Sequence, residues 1–355
     1  MITTTYDNGE AIVTHDSAYD FIDGFNRRTG VQITMGKNDV DPFMRSFPSV
    51  LDVGVMGFCE HGNLGLCTAA GVSCYQSGLT KAESHMSLTN FMRIVDEAKS
   101  KTFQIALGGR GDPNKHPDFG AMLSYARING VVPNYTTSGL KLTAEEIELT
   151  RQYCGAVAVS WYRSSYTLSA ISAFLAAGCT TNIQYVLGNN SIDEAIRRLG
   201  DNSFPNVNAV IFLLHKPVGQ GQFNNVLSND DPRLKEFFAL VEYSHPFKIG
   251  FDSCSIPGLL SNTTDIDPNS IDTCEGARFS AYISPSMVMT PCSFDQSFSY
   301  GVSLNNTTIK DAWNSLAFNA FRSHLFNACP SCPKRRACYG GCPLTPQIVL
   351  CDYKE

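Results

Sequence analysis

The chain has 355 residues, a hydrophobic fraction of 43% and a formal net charge of −6, values typical of a globular protein built as one large domain and a smaller one. Basic residues cluster only in "PKRRAC", there is no run of eighteen apolar residues, and the first sixteen residues are polar and acidic. The sequence therefore argues against a nucleic-acid partner, a membrane-spanning helix and a secretory signal, and predicts a cytoplasmic protein.

Residues 1–50 are predicted to be an N-terminal extension, with a helical pattern over 17–30 that ends at Gly30. Residues 51–245 alternate apolar runs with segments of helical spacing, which implies a parallel sheet covered by helices. The apolar runs are 49–57, 102–109, 130–139, 155–161, 180–188 and 208–219, and the predicted helices are 88–101, 142–154, 191–200 and 231–243. A doubly wound sheet and an open barrel both fit, and both collect their chemistry at the carboxyl ends of the strands.

The thirteen cysteines are the main anomaly of the composition. Because no secretory signal is present, metal binding is a better interpretation than a disulfide framework. Three of them, Cys59, Cys67 and Cys74, follow the first predicted strand at its carboxyl end. Eight more lie in the C-terminal region: Cys254, Cys274, Cys292, Cys329, Cys332, Cys338, Cys342 and Cys351.

The two cysteine counts, three and eight, suit iron–sulfur clusters. A [4Fe–4S] cluster takes four thiolates, so eight cysteines make two complete sets, and a set of three leaves one iron open to a small molecule. Tetrahedral zinc is the alternative for the closely spaced pair Cys329 and Cys332. Zinc does not account for the separate group of three.

The C-terminal spacing Cys-x2-Cys-x5-Cys-x3-Cys (329–342), preceded by Cys274 and Cys292 and followed by Cys351, resembles the SPASM domain of radical S-adenosylmethionine (SAM) enzymes. The resemblance covers about residues 51–355. It implies an α/β fold: a partial (β/α)6 TIM-like barrel over 51–245 and a SPASM domain of small β-hairpin and helix over 246–355. Met287 replaces the usual hairpin glycine, which predicts a different turn geometry.

The resemblance also implies three [4Fe–4S] clusters. The SAM cluster would take the first three cysteines, although their spacing, Cys-x7-Cys-x6-Cys, departs from the usual Cys-x3-Cys-x2-Cys. The two auxiliary clusters would take two sets of four, namely Cys254, Cys274, Cys292 and Cys342, and Cys329, Cys332, Cys338 and Cys351.

Residues at the strand ends are the predicted SAM contacts. Gly108 and Gly109 stand where the family has Gly-Gly-Glu, with Arg110 in place of the glutamate and Asp112 as a source of the missing charge. The full predicted set is Tyr75, Gly108, Gly109, Arg110, Asp112, Thr137, Ser138 and Ser160.

The function that the resemblance implies is reductive cleavage of SAM to a 5′-deoxyadenosyl radical, which abstracts hydrogen from a ribosomally made precursor peptide. Epimerisation, crosslinking and backbone excision all belong to this class. The implied partners are the precursor peptide, a separate leader-peptide-binding protein and an electron donor such as flavodoxin or ferredoxin.

Weak catalytic candidates are Cys154 and Cys179 as hydrogen donors and Asp295 as a proton acceptor. The alternatives are a radical SAM dehydrogenase of a small molecule and a non-enzymatic iron–sulfur or zinc protein.

Overall fold

The N-terminal extension is an antiparallel sheet. The computed structural model describes residues 1–80, 82–264, 266 and 271–351. The helix predicted over 17–30 is wrong, because its apolar residues alternate with a period of two: Phe21 and Phe25 are buried while Ile22 is exposed. The sheet has the order β1 (Ile2–Tyr6), β2 (Ala11–Asp16), β3 (Phe21–Asn26) and β4 (Gln32–Met35).

A second sheet carries the barrel, and all six predicted strands are present in it. The strands are β5 (Val50–Gly54), β6 (Gln104–Gly108), β7 (Val132–Thr137), β8 (Val157–Ser160), β9 (Thr181–Leu187), β10 (Ala209–Leu214) and β11 (Lys248–Phe251). Neighbours are parallel and their spatial order follows chain order from β5 to β11. A doubly wound sheet would reverse its order, so the open barrel is the observed arrangement. The last strand, β11, extends this sheet beyond the predicted boundary at residue 245.

Helices connect the strands and cover the sheet. They are α1 (Glu60–Asn63), α2 (Leu66–Ala69), α3 (Leu88–Ala98), α4 (Phe119–Ile128), α5 (Ala144–Tyr153), α6 (Ser165–Ala176), α7 (Ile192–Gly200), α8 (Pro232–Val241) and α9 (Ile256–Asn262). Both reciprocal bonds of the predicted capping box at α5, between Thr143 and Glu146, are present. None of the helices in the described ranges is long and apolar enough to cross a bilayer.

The C-terminal region continues the same sheet. β12 (Ser280–Ile283) pairs parallel with β5, and β13 (Val288–Thr290) and β14 (Val302–Ser303) follow it antiparallel. Met287 adopts a φ of +62°, so the hairpin turn has at this position the left-handed backbone that glycine adopts most readily. The remaining helices are α10 (Ile309–Trp313), α11 (Leu316–Asn327) and α12 (Arg335–Cys338).

The N-terminal sheet covers the amino-terminal end of the barrel. Ile12 and Phe25 form a small buried cluster with Phe103 and Val132, which lie at the starts of β6 and β7. This packing occupies the end of the barrel opposite the predicted chemistry. The carboxyl ends of the strands therefore remain available for a site.

Candidate functional site

A cavity of about 370 Å³ opens at the carboxyl ends of the barrel strands, the edge at which such barrels place their chemistry. Nine of the residues predicted from the sequence line it: Cys59, Cys67, Cys74, Tyr75, Gly108, Gly109, Asp112, Ser138 and Ser160. A larger cavity of about 560 Å³ lies beside β11, but its wall contains none of the predicted residues. We therefore assign the candidate site to the smaller cavity.

The first three cysteines converge on this cavity through the cysteine loop, which we define as residues 57–83. The Cys59 sulfur caps α1 by accepting a hydrogen bond from the Gly62 amide at 3.1 Å. The Cys74 sulfur accepts one from the Gly78 amide at 3.4 Å. A Cβ atom at residue 78 would lie 3.1 Å from Cys59 Cβ and 3.4 and 3.5 Å from these two sulfurs, so a side chain there would crowd the two cysteines.

The trio suits a cluster ligated by three thiolates. Burial raises the pKa of Cys59 to about 11, and the neighbouring Cys74 and Cys67 thiols add to the rise. Three thiols that repel one another's charge in a desolvated site need a bound cationic group to become thiolates together. The two backbone amides that point at sulfur provide the hydrogen bonds that such thiolates accept.

Polar groups surround the strand tips next to the trio. Asp112 accepts hydrogen bonds from the Ser138 amide at 2.7 Å and from the Ser138 hydroxyl at 2.5 Å, and these fix its carboxylate at the cavity wall. Gly108 has open space where a Cβ would be. Gly109 has a φ of +86°, and a Cβ there would lie 3.0 Å from the Tyr282 hydroxyl. A side chain would therefore fit at residue 108, whereas residue 109 needs glycine for its left-handed backbone and for the close approach of Tyr282.

Two predicted SAM contacts do not line the cavity. Thr137 is 1% exposed, and its hydroxyl accepts a hydrogen bond from the Gly139 amide. The neighbouring Thr136 faces the cavity instead, because alternate residues of a strand point to opposite faces. Arg110 turns its guanidinium toward the cysteine loop.

The three weak catalytic candidates also lie away from the cavity wall. Cys154 directly follows α5, and Cys179 lies two residues before β9, so both are at the amino ends of the strands. Asp295 is 3% exposed, and its carboxylate accepts hydrogen bonds from the amides of Ser299 and Tyr300. This geometry does not support hydrogen donation by either cysteine or proton acceptance by Asp295 at the cavity.

Cys254, Cys274, Cys292 and Cys342 form one interacting group. Interaction with the neighbouring Cys342 thiol, together with burial, raises the pKa of Cys254 well above its usual range. The same interaction lowers the pKa of Cys342 to about 6. Burial raises the pKa values of Cys274 and Cys292, and each also interacts with Cys342.

Cys329, Cys332, Cys338 and Cys351 form a second group. Burial raises the pKa of Cys338, and the other three members contribute to the rise. The Cys332 amide donates to the Cys329 carbonyl at 3.1 Å. The eight C-terminal cysteines therefore interact within two groups of four, and their ligation of two clusters stays a prediction.

All thirteen cysteines lie in the described part of the chain, and none of them forms a disulfide. Among residues 1–80, 82–264, 266 and 271–351, no group of three or more His, Cys, Asp or Glu side chains is placed so that it could hold a single metal ion.

A buried ion pair holds Ser253–Ser255, the turn that contains Cys254, against the barrel. The Lys216 ammonium donates to Asp252 Oδ2 at 2.5 Å and lies 4.3 Å from the centre of the Phe294 ring. Asp252 also accepts from the Ser255 hydroxyl at 2.6 Å. Burial alone would lower the pKa of Lys216, but Asp252 and the Cys254 thiol raise it above its usual value.

Two cavity groups missed by the sequence analysis make no hydrogen bond within the described residues. Asp52 and Tyr282 are register neighbours on the parallel strands β5 and β12, and both line the cavity. Burial raises the pKa of Asp52 to about 6. A carboxylate inside the apolar run 49–57 was the signal that could have identified Asp52 as facing the barrel interior.

Comparison with known proteins agrees with this arrangement. Residues 274–339 match the SPASM family, described as an iron–sulfur cluster-binding domain. The mycofactocin maturase MftC of Mycobacterium tuberculosis is 27% identical over 135 residues, which are 38% of this chain and 31% of that protein. The matched stretch is therefore less than a third of the length of that relative.

Solved structures extend the likeness over nearly the whole chain. Streptococcus suis SuiB bound to its precursor peptide SuiA has a TM-score of 0.70 at 11% identity, and covers 99% of this chain and 100% of that chain. SuiB bound to S-adenosylmethionine has a TM-score of 0.66 at 15% identity, over 87% of this chain and 78% of that chain. The enzyme anSMEcpe with bound AdoMet has a TM-score of 0.61 at 15% identity, over 83% and 89%. At these identities the likeness shows the fold.

The family and the fold class predicted from the sequence are therefore confirmed. The barrel is the fold of the solved S-adenosylmethionine-binding structures that the chain resembles, and residues 274–339 match the iron–sulfur cluster-binding SPASM domain.

Proposed function

We propose that the protein is a radical SAM maturase that modifies a ribosomally made precursor peptide. The observation that carries the proposal is the convergence of Cys59, Cys67 and Cys74 on one cavity at the carboxyl ends of the barrel strands. Three thiols leave one position of a [4Fe–4S] cluster without a protein ligand. That position is the one that SAM needs.

When bound, the cluster and SAM supply the 5′-deoxyadenosyl radical that abstracts hydrogen from the substrate. The protein contributes the rest of the site. Asp112 and Ser138 offer a fixed carboxylate and a hydroxyl for the polar end of SAM, and Ser160 offers a hydroxyl on the next strand. Tyr75 lies beside the third cysteine, with its ring 4.4 Å from that of Phe294.

The chamber is closed on one side by the C-terminal region, which limits the reactions that a radical can undergo. Tyr282 and Phe294 come from that region and line the same cavity as the cysteine trio. Asp52 and Tyr282 are two polar side chains of the described cavity lining that have no hydrogen-bond partner, and they are available to orient a substrate between them. We assign them that role in preference to Cys154, Cys179 and Asp295, which lie away from the cavity wall.

A peptide substrate is proposed because the similar proteins include a maturase and an enzyme solved with its precursor peptide. A separate leader-peptide-binding protein and a flavodoxin or ferredoxin as electron donor complete the proposal, in a cytoplasmic setting. Epimerisation, crosslinking and backbone excision remain the candidate reactions.

The two C-terminal groups of four cysteines are proposed to hold two auxiliary [4Fe–4S] clusters. Each group provides the four thiolates of a fully ligated cluster. The set that contains Cys254 and Cys292 is adjacent to the cavity, because Lys216 and Phe294 line the cavity and Lys216 interacts with both thiols. That position suits electron transfer to or from the chamber.

The test is SAM cleavage by anaerobically reconstituted protein reduced with dithionite. We expect 5′-deoxyadenosine to be formed by the wild type and to be lost when Cys59, Cys67 and Cys74 are all replaced by Ala. The matched control replaces Cys154 and Cys179 by Ala, which should leave cleavage intact. Equal cleavage by the triple variant, or none by the wild type, would contradict the proposal. Faster cleavage in the presence of a short precursor peptide than in its absence would identify the substrate class.

A further inference from the structure

Arg110 binds the cysteine loop at three places. Its side chain is 8% exposed and forms an ion pair with Glu83 Oε1 at 2.7 Å. The guanidinium also donates to the backbone carbonyl oxygens of Gly57 at 3.1 Å and Gln76 at 3.4 Å. Gly57 is the first residue of the loop and Glu83 is its last. Gln76 lies two residues after the third cysteine. A single side chain therefore joins both ends of the segment that carries the three cysteines.

The backbone around Arg110 is built for this contact. Gly111 has a φ of +75°, and a Cβ atom there would lie 2.3 Å from the Phe58 carbonyl oxygen. The tip of β6 thus packs directly on the first residues of the loop. The Gly57 carbonyl accepts a hydrogen bond from the Glu83 amide at 2.9 Å as well as from Arg110. The first and last residues of the loop therefore meet beside the guanidinium.

The length of the loop explains why such a contact is useful. Cys59 and Cys74 are fifteen residues apart, and a doubling of loop length costs only about 0.6 kcal/mol of closure entropy. The entropy cost of closure is therefore small, but the described residues of the loop, 57–80, 82 and 83, contain only two four-residue helices, α1 and α2. Helices this short have no stability of their own, and tertiary contacts must select the one conformation in which the three sulfurs converge.

We propose that Arg110 and Glu83 act as a clamp that holds the cysteine loop in its cluster-binding conformation. Arg110 is a positioning residue, because it acts through the loop and its contacts are with the loop. The inference rests on the proposed function for its purpose, but the clamp itself can be tested without it. The guanidinium suits the task because its planar fork carries five donors that can serve several acceptors at once.

The experiment measures hydrogen–deuterium exchange of the full-length, cluster-free chain. We expect Arg110→Ala to speed exchange in peptides from the cysteine loop by at least tenfold, while peptides from β7 to β10 stay as in the wild type. Arg110→Lys should give an intermediate rate, because an ammonium can keep the pair with Glu83 but cannot reach all three acceptors. Arg233→Ala is the matched control, since it removes ion pairs with Asp193 and Asp231 on the outer helices.

A second readout uses the reconstituted protein. We expect Arg110→Ala to lose about four irons per chain, the content of one [4Fe–4S] cluster, and to lose any change that SAM produces in the electron paramagnetic resonance spectrum. Unchanged loop exchange and unchanged iron content in this variant would overturn the clamp. If Arg110→Ala does not fold, Glu83→Gln carries the test, and wild-type exchange in the loop of that variant would overturn the clamp. Absence of SAM cleavage by the wild type would count against the proposed function alone.

Discussion

The molecule has two cysteine-rich regions that are held in different ways. In the cysteine loop, backbone amides point at the sulfurs of Cys59 and Cys74, and the buried Arg110 joins the ends of the loop. The C-terminal cysteine segment, residues 329–351, contains little regular structure beyond α12. Cys329 and Tyr339 adopt positive φ angles there, a conformation that costs a non-glycine residue about 1–2 kcal/mol. The hydrogen bonds of the protein chain support the first site, and we expect the second to depend more strongly on what it binds.

The largest expected effect follows from this difference. Removal of the clusters by an iron chelator should abolish the exchange protection of residues 329–351, because metal-binding energy is folding energy in such segments. The cysteine loop and β5–β10 should keep most of their protection. Hydrogen–deuterium exchange before and after chelation measures both regions in one sample. Equal loss in the two regions would show that the loop, too, is organised by its cluster.

The pairing of the C-terminal cysteines can be tested by iron content. Residues that act as one unit give non-additive effects. The double variant Cys254→Ala/Cys342→Ala should therefore lose about four irons, no more than either single variant. Cys342→Ala/Cys351→Ala should lose about eight, because its two cysteines belong to different groups. Additive loss within the first pair would contradict the grouping seen in the structure.

A buried ion pair contributes to the junction between the barrel and the turn that contains Cys254. Lys216→Met leaves Asp252 without its cation in a site where the lysine side chain is 1% exposed and the aspartate 17%. Breaking a buried pair on one side costs about 3–5 kcal/mol, so the thermal midpoint should fall markedly. Lys115→Met is the matched control: Lys115 pairs with Glu146 but is 23% exposed, and we expect a loss of about 0–1 kcal/mol. Equal losses would mean that water reaches Asp252.

The sequence predicted the barrel because periodicity and caps act locally. All six apolar runs became strands, and Thr143 and Glu146 formed their capping box. The error at 17–30 arose because "FIDGF" fits both a helical and an alternating pattern, and pairing with β2 and β4 decided between them. Local sequence carries no information about such pairing partners.

The candidate site was predicted wherever residue type alone indicates chemistry, as with the cysteines. The sequence did not identify the residues that line the cavity where the direction of a side chain decides which residue does so. Thr137 and Thr136 are adjacent hydroxyl residues, and only the register of β7 determines which faces the cavity. Arg110 was assigned to SAM by position, but its partner Glu83 is 27 residues away in the chain. Contacts of that kind follow from packing and cannot be read from spacing.

A pH-dependent effect should distinguish the chamber from the protein surface. Burial raises the pKa of Asp52 to about 6, so its ionised form is penalised in the folded state, and the penalty grows as pH rises from about 4 to above 6. Asp52→Asn should therefore match the wild type near pH 4 and be more stable at pH 8, by at most about 3 kcal/mol. Thermal midpoints of both proteins across this range measure it. Asp230→Asn, at an exposed position, should show no such trend, and a flat difference for Asp52→Asn would indicate a well-hydrated chamber.

The smallest expected effect tests whether the barrel is stable independently of the clusters. Thr143→Ala removes the cap of α5, where the hydroxyl accepts from the Glu146 amide at 3.2 Å, and should cost about 1 kcal/mol. Because α5 lies far along the chain from every predicted cluster ligand, the loss should be the same in cluster-loaded and cluster-free protein. Ser169→Ala removes an exposed hydroxyl inside α6 and should be neutral or slightly stabilising, since alanine is the better helix former. A loss for Thr143→Ala that appears only in the cluster-free protein would mean that the clusters support the barrel as well as the C-terminal region.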